Sequence, residues 1–335
     1  MKKTYYLFNP GRMSRKDNTL KFVPVDERGK ESTPKYIPIE GVSDLFCFGN
    51  LDANSALYLF LGKAGIAVHF FDYYEHYKGS FMPKEYLLAG KMQIEQTKHY
   101  ISKKKRLAIA TQFISGAAFN MVKNLRYYIN RDRDLQSVQE TIDSYRLQIE
   151  TSTAIDELMG IEGNIRQVYY SAFNEIITSD FTMANRSKRP PENEINALIS
   201  FGNMMCYALC LSQIYHTQLN PTISFLHEPG YRRYSLALDI AEIFKPLLVD
   251  RLIFRLLNKK EIKAQDFDHQ LNSCTLKDSG RKKFVRAWEE KISETIKHPA
   301  LKRSVSYKHL IKLECYKLCK HILRIEEYKP FKSRW

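Results

Sequence analysis

The chain has 335 residues, 44% of them hydrophobic, which is enough for two domains that each bury a core, and no internal repeat or low-complexity tract points to a solenoid. Lysine and arginine total 52 against 37 acidic residues, and this net charge of +15 favours a polyanionic partner, nucleic acid first. No apolar run in the sequence approaches the roughly 18 residues of a spanning helix, and Lys2-Lys3 lead only into Tyr5-Tyr6-Leu7-Phe8 before Asn9-Pro10-Gly11, so the expectation is a cytoplasmic protein with no membrane partner.

The amino-terminal part reads as strands. Residues 20–25 and 35–39 are short extended runs separated by a turn at 26–29, and residues 45–49 and 66–72 are apolar strands bounded by Gly49 and Gly65, with a helix at 55–63 between them. Beyond Pro83 the period becomes helical, over 87–102, 105–129, 135–149, 155–177 and 194–211. The fold class expected is α+β: a small β-rich domain over 1–85, then a larger all-α catalytic domain over 86–335. Six cysteines suit a reducing compartment better than a disulfide framework. Cys315, Cys319 and His321 read as buried helix side chains, because structural zinc cysteines usually come in knuckles of shorter spacing.

Three segments carry the chemistry. In SFLHEPGYRRYSLALDIAEIFKPLLVD (224–250), Ser235 is placed to cap a helix whose buried stripe is Leu236, Ile240, Ile243 and Leu247, and Asp239 and Glu242 fall together on its flank. Carboxylates side by side repel unless a proton or cation lies between them, so a divalent metal shared with His227 is one reading. Pairing with Arg233, Lys245 or Arg251 is the plain alternative. In STAIDELMGIEGNIRQVYYSAF (152–173), Glu162 lies on the edge of an apolar stripe, where an ionised acid needs a partner; Arg166, four residues on, would make it an ordinary helix salt bridge. The loop 185–193, NRSKRPPEN, sets Arg186, Lys188 and Arg189 before two prolines and, with Arg232 and Arg233 after the histidine, reads as a phosphate-contacting surface against the alternative of a solvated loop.

Five collinear blocks, IPIEGVSDLFCFGN, ELMGIEGNIRQVYY, RPPENEINALISFGN, LNPTISFLHEPGYRRYSLALDIAEIFKPLLVDR and EEYKPFKSRW, resemble the CRISPR-associated spacer integrases, the nuclease-integrase subunit of the adaptation machinery of bacteria and archaea. The resemblance covers essentially the whole chain. It implies a β-domain that pairs two subunits, a helical domain with one metal site, and a small ferredoxin-like second adaptation protein as partner. It places the family's metal ligands on Glu162, His227 and Glu242, the last where other members have Asp, and sets Asp239 beside them as a supporting or alternative ligand. Gly160, Asn196 and Ser200 are framework. Two carboxylates and an imidazole suit Mn²⁺ or Mg²⁺, with the imidazole favouring Mn²⁺. The implied reaction is transesterification, in which the 3′-hydroxyl of a short DNA fragment attacks a repeat phosphodiester. A free-standing metal-dependent DNA endonuclease would use the same residues with water as nucleophile, and a non-catalytic basic DNA-binding scaffold would use them only to balance charge. Strand transfer and metal dependence, respectively, separate these from the first reading.

Overall fold

The computed structural model describes residues 2–26, 28–72, 76–83, 89–230, 234–298 and 301–334. The chain divides into two compact units, Met1–Tyr86 and Leu87–Trp335. The first holds β1 (Lys3–Leu7), β2 (Gly11–Lys16), β3 (Thr19–Pro24), β4 (Lys35–Pro38), β5 (Val42–Cys47), β6 (Leu51–Asp52), α1 (Ser55–Ala64), β7 (Ala67–Phe71) and β8 (Tyr77–Phe81). One sheet runs β1-β5-β7-β8 and the other β4-β3-β2-β6. Helix α1 makes the crossover that lets β5 and β7 pair in parallel, in the register Leu45 opposite Val68. Both strands are almost continuously buried because both of their faces are covered. The Asn54 side chain caps α1 by accepting from Leu57 N at 3.1 Å, and Gly65 closes it at φ +70°, a conformation that only glycine adopts freely. Leu20, Val42, Leu45, Leu57, Leu61 and Val68 form the core of this unit.

The second unit carries α2 (Gly90–Ile101), α3 (Lys103–Ile129), α4 (Gln136–Thr151), α5 (Ile155–Ser171), α6 (Phe173–Ile176), α7 (Glu194–Tyr215), α8 (Ser235–Lys245), α9 (Arg251–Asn258), β9 (Phe267–Gln270), β10 (Ser273–Leu276), α10 (Asp278–Ser293), β11 (Thr295–Lys297), β12 (Ser304–Ser306) and α11 (Tyr307–Ile322). It is helical, with two small antiparallel hairpins, β9–β10 and β11–β12, that the helical period does not announce. The predicted helix at 155–177 is two helices, broken at Ala172.

Helix α7 corrects one expectation. This 22-residue helix is long and apolar enough to cross a membrane, although most of it is buried inside the protein. It is the central core helix, packed by α8, α9 and α11. At Gly202 a methyl group would come within 2.5 Å of Val249, so only glycine lets α7 approach this closely. Ser235 is also not the cap of α8. It is the first helical residue, and its hydroxyl donates to Thr222 O at 2.9 Å.

Between α8 and α9 the helix widens to π geometry over Pro246–Asp250. Pro246 has no N–H to give to a preceding turn, which frees backbone acceptors just after the acid-bearing stretch. Two asparagines one turn apart on α3 bond other carbonyls of this turn: Asn120 Nδ2 donates to Ile243 O at 3.0 Å and Asn124 Nδ2 to Pro246 O at 2.8 Å. The extended chain after α11 packs here as well. Ser333 N donates to Asn120 Oδ1 at 2.9 Å, Phe331 stacks on Phe244, and Pro330 lies where a side chain at Gly116 would point.

Candidate metal site

Asp239 on α8 is fully buried, and its carboxylate is filled by the loop that carries the histidine. Its Oδ2 accepts from the backbone N–H of Phe225 (2.7 Å) and Leu226 (3.0 Å), and Oδ1 accepts from that of His227 (3.0 Å). The His227 ring closes the cluster, with Nδ1 at 2.8 Å from Oδ1. A carboxylate already accepting three N–H groups takes a proton donor from the ring as well, which leaves the lone pair on Nε2, pointing away from Asp239 and free to act as a ligand. The far side of the same loop is held by α2 and α3: Arg106 Nε donates to Phe225 O at 2.8 Å, Arg106 Nη2 to Glu228 at 2.7 Å, and the Tyr100 hydroxyl to Glu228 at 2.6 Å. His227 is thereby clamped from two directions.

Glu242, three residues beyond Asp239, faces charge instead of backbone. Arg166 from α5 contacts Glu242 Oε2 through Nη2 and Glu162 Oε1 through Nε, and Lys245 Nζ donates to Glu242 Oε1 at 2.5 Å. Both carboxylates thus converge on one guanidinium. Burial pushes the Glu162 carboxyl up, but Arg166, with Lys245 and His227 behind it, more than reverses this and holds it below the usual range. Burial lowers the Lys245 ammonium, and the neighbouring Arg166 adds to that. One turn on, Asp250 is buried, and this desolvation pushes its carboxyl up to about 7 against the pull of Arg166 and Lys245.

The structure brings Glu162 and Glu242 together at Arg166, with His227 in the neighbourhood of Glu162, and separates Asp239 from them in role. Both plain pairings, Glu162 with Arg166 and Glu242 with Lys245, are present. Among the described residues no three His, Cys, Asp or Glu side chains stand in ready-made ligating positions, and Arg166 contacts both Glu162 and Glu242. The donor set still fits a hard divalent ion: two carboxylates close enough to share one positive charge, and an imidazole with a fixed tautomer.

The basic loop divides. Arg186 is tied inward, with Nη1 on Asn196 Oδ1 at 2.9 Å and Nη2 on the Ser200 hydroxyl at 3.0 Å, while Asn196 also donates to Asn185 O at 2.8 Å. Lys188 and Arg189 are exposed, and Lys188 is near enough to Arg186, Arg166 and Glu162 to feel their charge. Arg232 and Arg233 lie outside the described residues. The six cysteines are free and buried, in line with inert core thiols.

The family model for the CRISPR associated protein Cas1 matches residues 5–290. The chain belongs to the Cas1 family. It is 49% identical over 333 residues to a CRISPR-associated endonuclease Cas1 of Thermodesulfovibrio yellowstonii, a match covering 99% of this chain and 100% of that one. The solved Cas1 protein of Thermotoga maritima has a TM-score of 0.84 at 38% identity, covering 99% and 100% of the two chains. A casposase bound to integration product shares the fold at a TM-score of 0.88 and 19% identity, covering 99% and 94%. The chain is therefore an enzyme of the family's endonuclease type, a component of CRISPR-based defence. Sequence reading did not single out Tyr100, Arg106 or Glu228 as supports of the histidine loop, nor Asp250. The first two lie more than a hundred residues from the loop they hold, whereas Asp250 is a lone acid inside the apolar run PLLVDRLIF and was visible as an oddity.

Proposed function

We propose that Glu162, His227 and Glu242 hold one Mn²⁺ or Mg²⁺ ion and that the protein joins the 3′-hydroxyl ends of short DNA fragments into CRISPR repeat DNA by transesterification. What supports this reading is that the His227 Nδ1 is locked by the buried Asp239, which leaves Nε2 for a ligand, and that Glu162 and Glu242 converge on one guanidinium. A divalent ion in that place supplies Lewis acidity to the phosphoryl oxygen and charge for the leaving oxygen. The chain's own residues do the rest. Asp239 fixes the imidazole, Arg106 and Glu228 fix its loop, and Lys188 and Arg189 meet the DNA backbone from a loop that Arg186 holds in shape. Arg232 and Arg233, which follow the histidine closely in sequence, contribute further cations for phosphate contact.

The amino-terminal unit serves as the dimerisation domain and the carboxy-terminal unit as the catalytic domain. Sheet edges at β4 and β8 are the kind a second copy covers, and two-fold pairing spaces two metal sites for the two ends of one fragment. A small ferredoxin-like adaptation protein completes the complex in the cytoplasm. The test uses a supercoiled plasmid carrying a repeat and a labelled fragment, with Mn²⁺. Label joined to plasmid by the wild type, and lost in Glu162→Ala, His227→Ala and Glu242→Ala, is expected; nicking without joining would leave a hydrolytic nuclease. Light scattering should give about twice 39.3 kDa, and a monomer competent for paired joining would overturn the dimer.

A further inference from the structure

The proposed ligands face a full set of cations before any metal enters. Glu162, Glu242 and Asp250 are matched by Arg166, Lys245 and Arg186, and Arg166 touches both ligand carboxylates at once. A divalent ion would add two positive charges to this balanced set at the place a guanidinium already fills. Like charges at contact range repel strongly where water is scarce, so the ion and the guanidinium do not share that place. Arg166 is the cation that must give way, because it alone bridges Glu162 and Glu242, whereas Lys245 touches only Glu242. A guanidinium this deeply placed, with 14% of its side chain exposed, needs another anion when it withdraws.

Asp250 meets that need. It lies within the π-helical stretch that follows α8, is 1% exposed, and its Oδ2 has no hydrogen-bond partner among the described residues. After burial itself, Arg166 is the charge that acts most strongly on it, and Asp250 in turn acts on Arg166. Tyr169 on α5, whose hydroxyl accepts from Asn124 Nδ2 at 2.8 Å, also acts on this carboxyl. Neither the reaction nor the fold gives a fully buried acid at this point any other task, since the carbonyls around the π turn are met by Asn120 and Asn124.

We infer that Arg166 is a resident counter-cation of the metal site that changes partners, pairing with Glu162 and Glu242 in the metal-free protein and with Asp250 when those carboxylates hold a divalent ion. This rests on the reading of Glu162, His227 and Glu242 as ligands. Arg166 and Asp250 are positioning residues that set how readily the site loads, and neither is a ligand.

The test is calorimetric titration of MnCl₂ into full-length, metal-free protein without DNA, with the thermal midpoint of each variant recorded. Glu162→Gln should abolish binding; wild-type affinity in that variant, or no binding by the wild type, would overturn the ligand reading and this inference with it. Arg166→Gln should tighten Mn²⁺ binding about tenfold, and Asp250→Asn should weaken it about tenfold, by removal of the competing cation and of its alternative anion respectively. The two effects should be coupled, so that Asp250→Asn changes affinity less than about twofold in the Arg166→Gln background. An undiminished effect of Asp250→Asn in that background, with Glu162→Gln still abolishing binding, would sink the partner exchange alone. Should Arg166→Gln fail to fold, Arg166→Lys serves, because one ammonium cannot bridge two carboxylates as a guanidinium fork does; it should tighten binding by a smaller factor, and weaker binding would count against the proposal.

Discussion

Asp239 and Glu242 stand three residues apart on one helix, both are buried, and the protein treats them in opposite ways. Asp239 is satisfied by backbone N–H groups and one imidazole, all fixed by the course of the chain. Glu242 instead faces the ends of two long cationic side chains, and its Oε2 has no hydrogen-bond partner among the described residues. A carboxylate of the first kind is part of the framework, and one of the second kind is an exchangeable ligand in waiting. The helix flank that reads in the sequence as one acidic pair is therefore two separate devices, one holding the histidine loop and the other holding charge.

The largest effect that tests this contrast is catalytic. Glu242→Gln keeps the volume and loses the charge of a ligand, so Mn²⁺-dependent cleavage and strand transfer should fall by about 10³-fold or more, with saturating metal giving no recovery. Asp239→Asn should cost less activity, about 10- to 100-fold, the range expected when the group that orients a ligating histidine is altered. Its stability loss should be the greater of the two, about 2–4 kcal/mol by urea unfolding, since one amide oxygen cannot serve three backbone donors. Equal activity losses in the two variants would make Asp239 a ligand and erase the distinction.

How much of this was legible beforehand follows from the range of each interaction. The α+β class and the long helices α3, α4 and α7 show in the sequence because periodicity is local, and Glu162 stands out because an acid on an apolar edge needs a partner. The pairings within one helix, Glu162 with Arg166 and Glu242 with Lys245, were open to the same reasoning. Strands β1 and β2 gave no usable signal, since KTYYL and GRMSRK owe their pairing to β5 and β3 rather than to their own pattern. The clamp of Arg106 and Tyr100 on the histidine loop and the bridge from Arg166 to Glu242 join distant segments, and no spacing rule reaches across them. The π turn hides behind Pro246, which read as part of a continuous helix.

A smaller effect concerns pH. Burial raises the folded pKa of Asp250 to about 7 from an ordinary 3.8, so between those values the folded protein binds more of this proton than the unfolded chain does. Stability from this group is thus present at low pH and is lost as pH rises through the folded pKa, with a slope of at most about 1.4 kcal/mol per pH unit. Comparing urea unfolding of the wild type and Asp250→Asn from pH 5 to 7, the wild type should lose ground steadily to the variant. A constant difference across that range would mean that the carboxylate stays ionised and paired throughout, which would place Arg166 against it even without metal.

The smallest effect separates the two halves of the basic loop, where the same contrast between framework and exchangeable charge recurs. Arg186 is spent inside the loop on Asn196 and Ser200, whereas Lys188 and Arg189 are exposed. Each phosphate contact releases condensed counterion, so the dependence of DNA affinity on salt counts contacts and ignores framework. Replacing Lys188 and Arg189 together by Ala should lower the slope of log affinity against log salt by about 1–2, the share of two phosphate contacts on duplex DNA. Arg186→Ala should weaken binding by loosening the loop and leave the slope within about 0.5 of wild type. If Arg186→Ala flattens the slope as much as the double replacement does, the guanidinium leaves Asn196 to meet phosphate when DNA binds, and Arg186 then belongs with Glu242 and its cations rather than with Asp239.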